Sequence, residues 1–461
     1  MTFELQFLGA TERVTGSLYL LRAGKSRIVI ECGLVQGPAD EEARNREPFP
    51  FDVEQIDAVV ISHSHIDHSG RVPLLAKQGY TGPVYTHEAS KALCEIMLPD
   101  SGYLNEKEAE YENRKRARKG KARIEPLYTQ EDAKNCISQF HGLEYEQATE
   151  ITPGLTLTLF DAGHILGSSI VQLVYDDGKE HRTLVFSGDL GFRHAPLMDP
   201  AERLAHADAV LMESTYGDRN HRPIDETIAE LTGVFESARA AQGNILIPAF
   251  TVGRTQDLLY LMAEHYEEWG LKKWKIFLDS PMGIRATRVY SNYRHLFEAK
   301  LFNPKTNEPK LPNLFETRSP EESMEINDIE SGAIIIAGSG MCTGGRILHH
   351  LKNNVWREQC HLVIVGYQGI GTLGRRLVDG ADEIRLWGHE YRVRIQLHTI
   401  GGLSAHADQA DLVNWYAGFE NRPPVYLVHG EERGQRPLLE KLRSELKAPA
   451  EIARFQQKVT I

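Results

Sequence analysis

The chain has 461 residues, 41% of them hydrophobic and 25% charged, with a formal net charge of −12. That length suits two or more domains with full cores, and the acidic balance argues against broad, unselective nucleic-acid binding. No run of about 18 apolar residues occurs, so no membrane span is expected, and five cysteines without paired spacing suit a reducing compartment rather than a disulfide framework.

The N-terminus, Met1 to Leu8, alternates apolar and polar residues as a half-buried strand does. It lacks the basic n-region and cleavage site of a secretory signal, and a cytoplasmic protein is expected. Ala58-Val59-Val60-Ile61 reads as a buried strand and runs into His63-Ser64-His65-Ile66-Asp67-His68. Imidazole nitrogens suit zinc, and an aspartate oxygen can serve as a further ligand. The alternative is a solvated polar loop after a strand. It is disfavoured because further ligands recur downstream. Next comes an acidic stretch, Glu106 to Glu112, followed by seven basic residues in the ten from Arg114 to Arg123. Such a run attracts phosphate chains, or it is a solvated helix with i,i+4 pairs. The two readings stand level.

Three later segments repeat one pattern, a strand ending in a Gly-flanked His or Asp. They are Leu155 to His164, Leu184 to Gly191, and Val425 to Glu431. Gly beside a ligand lets the backbone turn sharply and approach a small site. Singly, each His is more simply a structural residue. Together with the first cluster they supply five His (His63, His65, His68, His164, His429) and two Asp (Asp67, Asp189), the number two zinc ions need with Asp189 bridging.

Between Asp189 and His429 lie 239 residues. Short apolar runs with Gly or Pro stops at Val210–Gly217, Asn244–Phe250, Ile276–Pro281, Ala333–Gly340 and Leu362–Tyr367 alternate in part with helical stretches such as Thr255 to Glu264. That alternation predicts a mostly parallel sheet with helical cover, long enough to be its own domain. Two Gly-rich loops follow strands here, Gly338 to Arg346 before a helix over Ile347 to Asn353, and Gly366 to Arg376. Backbone N–H groups at such loops can hold phosphate. Ser339, Gly340, Arg346, Gly371, Thr372, Arg375 and Arg376 are the candidate substrate contacts. Neither loop is a P-loop, and tight turns in an α/β sheet would read the same way.

The His-x-His-x-Asp-His motif followed by a later His, Asp and His resembles the metallo-β-lactamase superfamily. The resemblance implies an αββα sandwich with the metals at one edge of two sheets. By it, His63, His65 and His164 hold one zinc, Asp67, His68 and His429 the other, and Asp189 bridges. The family's Asp-Cys-Gly is replaced by Glu31-Cys32-Gly33, so Glu31 is expected to support the ligand loop from behind the ligands, one methylene longer than usual.

The segments after Asp189 look like the β-CASP domain of nucleic-acid-cleaving members. Glu213 in Glu-Ser-Thr-Tyr-Gly, His406 in Leu-Ser-Ala-His-Ala-Asp and His429 in Leu-Val-His-Gly-Glu match its three motifs in order. A His at the third motif goes with RNA in this family. The resemblance, closest to the compact bacterial and archaeal ribonucleases, implies an α/β fold with metallo-β-lactamase segments at 1–217 and 398–461 around a β-CASP domain at 218–397. It implies a zinc-dependent ribonuclease with two zinc ions and single-stranded RNA as partner, leaving 5′-phosphate and 3′-hydroxyl ends. Attack is expected from a metal-bridging hydroxide, with Asp67, Glu213 and His406 catalytic and His406 the general acid. The inserted domain is expected to lie over the metal edge, so that a flexible strand enters and a stiff duplex does not. The oligomeric state is open, a homodimer among the options. The rivals are a small-molecule metallo-hydrolase acting on a lactone or thioester, and a noncatalytic RNA-binding scaffold.

Overall fold

A computed structural model describes residues 3–297, 301–303, 305, 307, 309–369 and 371–461. Met1 and Thr2, which the sequence places in the first strand, lie outside the described residues; that strand runs Phe3–Phe7. The chain divides into two compact units. One takes Met1–Arg193, Pro200–Asn220 and His406–Ile461; the other takes His194–Asp199 and His221–Ala405.

The first unit holds two seven-stranded sheets. In spatial order the first runs Lys458–Thr460, Phe3–Phe7, Tyr19–Ala23, Ser26–Ile30, Ala58–Val60, Val84–His87, Phe140–Leu143. The second runs Ala450–Ile452, Val425–Leu427, Ala209–Met212, His181–Phe186, Ser169–Asp176, Leu155–Asp161, Thr149–Thr152. Side chains of a strand alternate between faces, and the cores follow that period. Ile28 and Ile30 pack with Leu184, Phe186 and Leu211 in one cluster between the sheets. Val29 and Val59 face the other way and pack with Val72, Leu75, Cys94 and Leu98 on helices. Val185, Val210 and Met212 do the same on the second sheet, against Leu412, Tyr416, Leu438 and Leu442. Two sheets face to face with helices outside both make the αββα sandwich.

The second unit is built on a six-stranded sheet in the order Leu314–Glu316, Lys275–Leu278, Ala333–Ala337, Ile245–Pro248, His361–Ile364, Gln396–Thr399. Every pair in it is parallel. Ile245–Pro248 and Ala333–Ala337 are buried along their whole length, as a parallel sheet covered on both faces requires. At one edge of this sheet, Asp279 follows its strand and is fully buried. Its carboxylate accepts from Arg346 Nη1 and His350 Nε2, both at 2.6 Å, and from Ser323 Oγ at 2.6 Å and Thr317 Oγ1 at 2.5 Å.

A helix of 31 residues, Glu88–Arg118, contains the acidic stretch and the start of the basic run. It passes through Pro99 and Gly102, residues that normally end a helix. Gly102 is needed there, because a Cβ would lie 2.6 Å from the Thr129 carbonyl oxygen. Among the described residues no helix is long and apolar enough to cross a membrane.

Candidate metal centre

All the sequence-predicted ligands lie in the first unit, each just past the C-terminal end of a strand. His63 to His68 follow Ala58–Val60 and enter the short helix Ile66–Ser69. His164 follows Leu155–Asp161, Asp189 follows His181–Phe186, and His429 follows Val425–Leu427. The last three strands run the same way in the second sheet, so their ends share an edge. The ligand loop is drawn in by Gly33, whose Cβ, if present, would lie 1.6 Å from the Asp67 carbonyl oxygen. Glu31 and His429 adopt left-handed backbone, at φ 62° and 49°. Non-glycine residues hold such conformations where the surroundings over-determine them.

The donor atoms converge. His63 Nε2 lies 3.0 Å from His65 Nδ1, which lies 3.2 Å from His164 Nε2. Asp189 Oδ2 is 3.6 Å from His63 Nε2 and 3.7 Å from His164 Nε2. On the other side, His68 Nε2 lies 3.2 Å from His429 Nε2 and 3.3 Å from Asp189 Oδ2. Asp67 Oδ2 is 3.8 Å from His68 Nε2 and 3.5 Å from His429 Nε2. Ligands about 2.0–2.1 Å from a tetrahedral zinc stand about 3.3–3.4 Å from each other, so His63, His65, His164 and Asp189 form one cluster of metal-ligand spacing and Asp67, His68 and His429 another. Asp189 Oδ1 is buried and accepts no hydrogen bond, a lone pair left for a cation.

The electrostatics agree with that donor set. Burial pushes His63 far below the usual histidine range and His65 down to about 4, so both are neutral with lone pairs available. Burial alone would raise Asp67 and Asp189, but His68 and His429 hold both carboxyls well below the usual range. Burial also opposes charge on His68, yet Asp189, Asp67 and Glu31 hold its imidazole well above the usual value. The cluster demands positive charge, which a proton or a divalent cation supplies.

Behind the ligands, the rings of His68, His63 and His429 are held by their far nitrogens. Glu31 Oε2 lies 2.5 Å from His68 Nδ1, and its Oε1 accepts from the Ser62 backbone N–H at 2.6 Å. Ser62 Oγ lies 2.9 Å from His63 Nδ1 and Thr215 Oγ1 3.1 Å from His429 Nδ1. Sequence reasoning missed Ser62 and Thr215. Their only signal is adjacency to a ligand loop or an acidic motif, and hydroxyl residues are common there. Such partners fix tautomer and ring orientation. Glu31→Gln is therefore expected to weaken metal binding by roughly 10–100-fold, read by competition with a chelating dye. Unchanged affinity would remove Glu31 from the site.

His406 stands beside this set. Its Nδ1 lies 3.2 Å from Glu213 Oε1 and 3.9 Å from Asp189 Oδ2. Glu213 is fully buried and fixed by the backbone N–H groups of Leu190 and Thr215, at 2.8 and 3.2 Å. Burial works against charge on His406, but Glu213, Asp189 and Asp67 together outweigh it and raise the imidazole to about 9.

The candidate phosphate loops belong to the second unit. Gln368 Nε2 donates to the Gly340 carbonyl at 2.9 Å and ties the two loops together. Ser339 Oγ accepts from the Thr343 and Gly344 N–H groups, and Thr372 Oγ1 caps its helix at Arg375 N. Arg346 does not point to solvent as a phosphate contact would. Its guanidinium is bound to Asp279 and to the carbonyls of Thr317 and Arg318. Arg375 pairs with Asp379 at 2.9 Å, Arg376 reaches the Glu383 carbonyl at 3.4 Å, and Gly371 is exposed.

Residues 11–249 match the metallo-beta-lactamase superfamily, 255–377 the Beta-Casp domain, and 390–453 the Zn-dependent metallo-hydrolase RNA specificity domain. The chain is 38% identical to Ribonuclease TTHA0252 of Thermus thermophilus over 92% of both chains. It is 32% identical to Transcription termination factor FttA of Methanococcus maripaludis, over 92% of this chain and 66% of that one. A solved structure of a protein of unknown function from Enterococcus faecalis V583 has the same fold, with a TM-score of 0.58 at 12% identity over the whole of both chains. The chain belongs to the metallo-β-lactamase superfamily and, within it, to the β-CASP family.

Proposed function

We infer that this protein is a ribonuclease that hydrolyses single-stranded RNA with two zinc ions at the seven His and Asp ligands and His406 as general acid. A metal-dependent ribonuclease is what the family and the ribonuclease relative carry; the zinc count, the strandedness and the residue roles are our reading. The observation behind it is one arrangement. Seven His and Asp donors fall into two clusters of metal-ligand spacing, and His406, 3.2 Å from Glu213, lies beside them, which supports a role other than ligand.

When bound, zinc supplies charge stabilisation and a nucleophile at neutral pH. The chain's residues do the rest. Asp67, kept ionised by His68 and His429 and partly open to solvent, would orient the attacking water by accepting a hydrogen bond from it, while the water's proton is lost to solvent. Glu213 holds Nδ1 of His406, so Nε2 is the nitrogen that hands a proton to the departing 3′ oxygen. The phosphorus–O3′ bond breaks, leaving a 3′-hydroxyl on one fragment and a 5′-phosphate on the other. A single strand is favoured because His63, His68, His164, Asp189 and His429 are all buried. A flexible chain can thread its phosphodiester to them, whereas a rigid duplex keeps its backbone outside.

The test is one experiment with four substrates. The protein, with its metal content measured, is given single-stranded RNA labelled at the 5′ end or internally, the same RNA as a duplex, and DNA. Two zinc equivalents, cleavage of the single strand, resistance of the duplex and arrest by chelator are expected. Cleavage that survives complete metal removal would overturn the reading. So would equal rates on an unfrayed duplex, for strandedness alone.

A further inference from the structure

Tyr103, Lys107, Tyr111, Arg114 and Arg118 recur every three or four residues along the helix Glu88–Arg118. That spacing puts them on one face, and all five are exposed. The buried positions of the same stretch, Leu98, Gly102 and Ala109, fall on the opposite face. Tyr103 is 46% and Tyr111 60% exposed, so two large rings are held out in water instead of packed. Lys107 Nζ sits 5.5 Å from the Tyr103 ring centre, and Lys115 Nζ 4.1 Å from that of Tyr111. Past the helix, Lys119, Lys121 and Arg123 continue the charge, all exposed. The ion pairs of this segment are Lys107–Glu110 and Lys115–Glu112. Among the described residues Arg114, Arg118, Lys119, Lys121 and Arg123 make none. On a chain of net charge −12 this is a strong local reversal of sign.

The helix also sets a distance. Near its start, Ser90 Oγ donates to the Gly167 carbonyl at 2.7 Å, in the loop that carries His164. Arg114 stands roughly 36 Å further along the axis at about 1.5 Å per residue. A ligand on this face is therefore not at the bond being cut.

We propose that this face is an exosite for single-stranded RNA, in which the tyrosines stack on bases and the Arg and Lys side chains hold the phosphates between them. An alternation of ring and cation fits a polymer that alternates base and phosphate. A duplex hides its base faces and an acidic peptide has no use for the rings. The inference rests on RNA being the substrate.

Two separate variants test it. One is Arg114→Gln, Arg118→Gln, Lys119→Gln and Lys121→Gln together; the other is Tyr103→Ala with Tyr111→Ala. Binding of a long unstructured RNA is followed by anisotropy across salt concentrations, and cleavage of that RNA is compared with cleavage of an oligomer of a few nucleotides. The charge variant is expected to reduce the slope of log affinity against log salt by about 2–3, at about 0.7 for each single-strand phosphate contact. The tyrosine variant is expected to weaken binding by at least roughly thirtyfold, the scale of two lost base stacks, with the slope kept. In both, KM for the long RNA rises, kcat holds, and the short oligomer is cut as before. Unchanged affinity and slope in both variants would overturn the exosite and leave the face to a protein partner. An equal loss on the short oligomer would also overturn it, placing the effect at the metal centre. If the unaltered protein neither binds nor cuts any RNA, it is the ribonuclease reading that fails.

Discussion

His406→Ala is expected to slow RNA cleavage by roughly 10²–10⁴-fold, the range of a lost general acid, while metal content and thermal melting stay as they were. The groups His63, His65, His164, Asp189 and Asp67, His68, His429 do not include His406, so metal is expected to remain. Its side chain is 22% exposed, so the truncation opens no deep cavity. The loss should depend on the leaving group. An RNA phosphodiester departs as a poor leaving group and needs the proton, whereas an activated phosphodiester such as a nitrophenyl ester departs without one. The variant should therefore keep most of its activity on the activated ester. Near-normal turnover on RNA would remove His406 from catalysis. A loss of equal size on both esters would make it a positioning residue for the phosphate.

Asp279→Ala is expected to destabilise the second unit by about 3–5 kcal/mol, the usual consequence of removing one partner from a buried ionic cluster. Arg346 and His350 would keep their places with no carboxylate to meet them, and Ser323 and Thr317 would lose an acceptor. Urea unfolding followed by a probe in that unit measures the effect. A loss under about 1 kcal/mol would show that water replaces the carboxylate at little cost. The pH dependence has a definite sign. Burial would raise the Asp279 carboxyl, but hydrogen bonds from His350, Ser323 and Thr317 hold it well below the usual range. Its folded value thus lies under the unfolded value of about 3.9. The stabilisation is complete above that pH and is lost as pH falls below it.

The metal centre could be read from the chain because zinc chemistry is demanding about residue type and place. Three His and one Asp crowded into His63–His68 serve no purpose in a packed core or a simple turn, and the remaining ligands repeat one strand-end pattern. The parallel sheet of the second unit was legible for a related reason, since strands buried on both faces are written as short apolar runs. Arg346 shows where this reasoning stops. An arginine at the end of a Gly-rich loop looks the same whether it meets a phosphate or a buried aspartate 67 residues earlier. The long helix was hidden as well. Pro99 and Gly102 both argue for a break, and only the close crossing at Thr129 accounts for the glycine.

The two ends of the chain meet in the structure. Lys458–Thr460 pairs with Phe3–Phe7, and His429 donates its backbone N–H to the Ala10 carbonyl. Chains emerge from the ribosome N-terminus first, so the His63–His68 loop exists long before His406 and His429 have been made. A nascent chain that has made the early strands still lacks His406 and His429. His406 and His429, both made late, reach the cluster when residues 406–461 pack into the first unit.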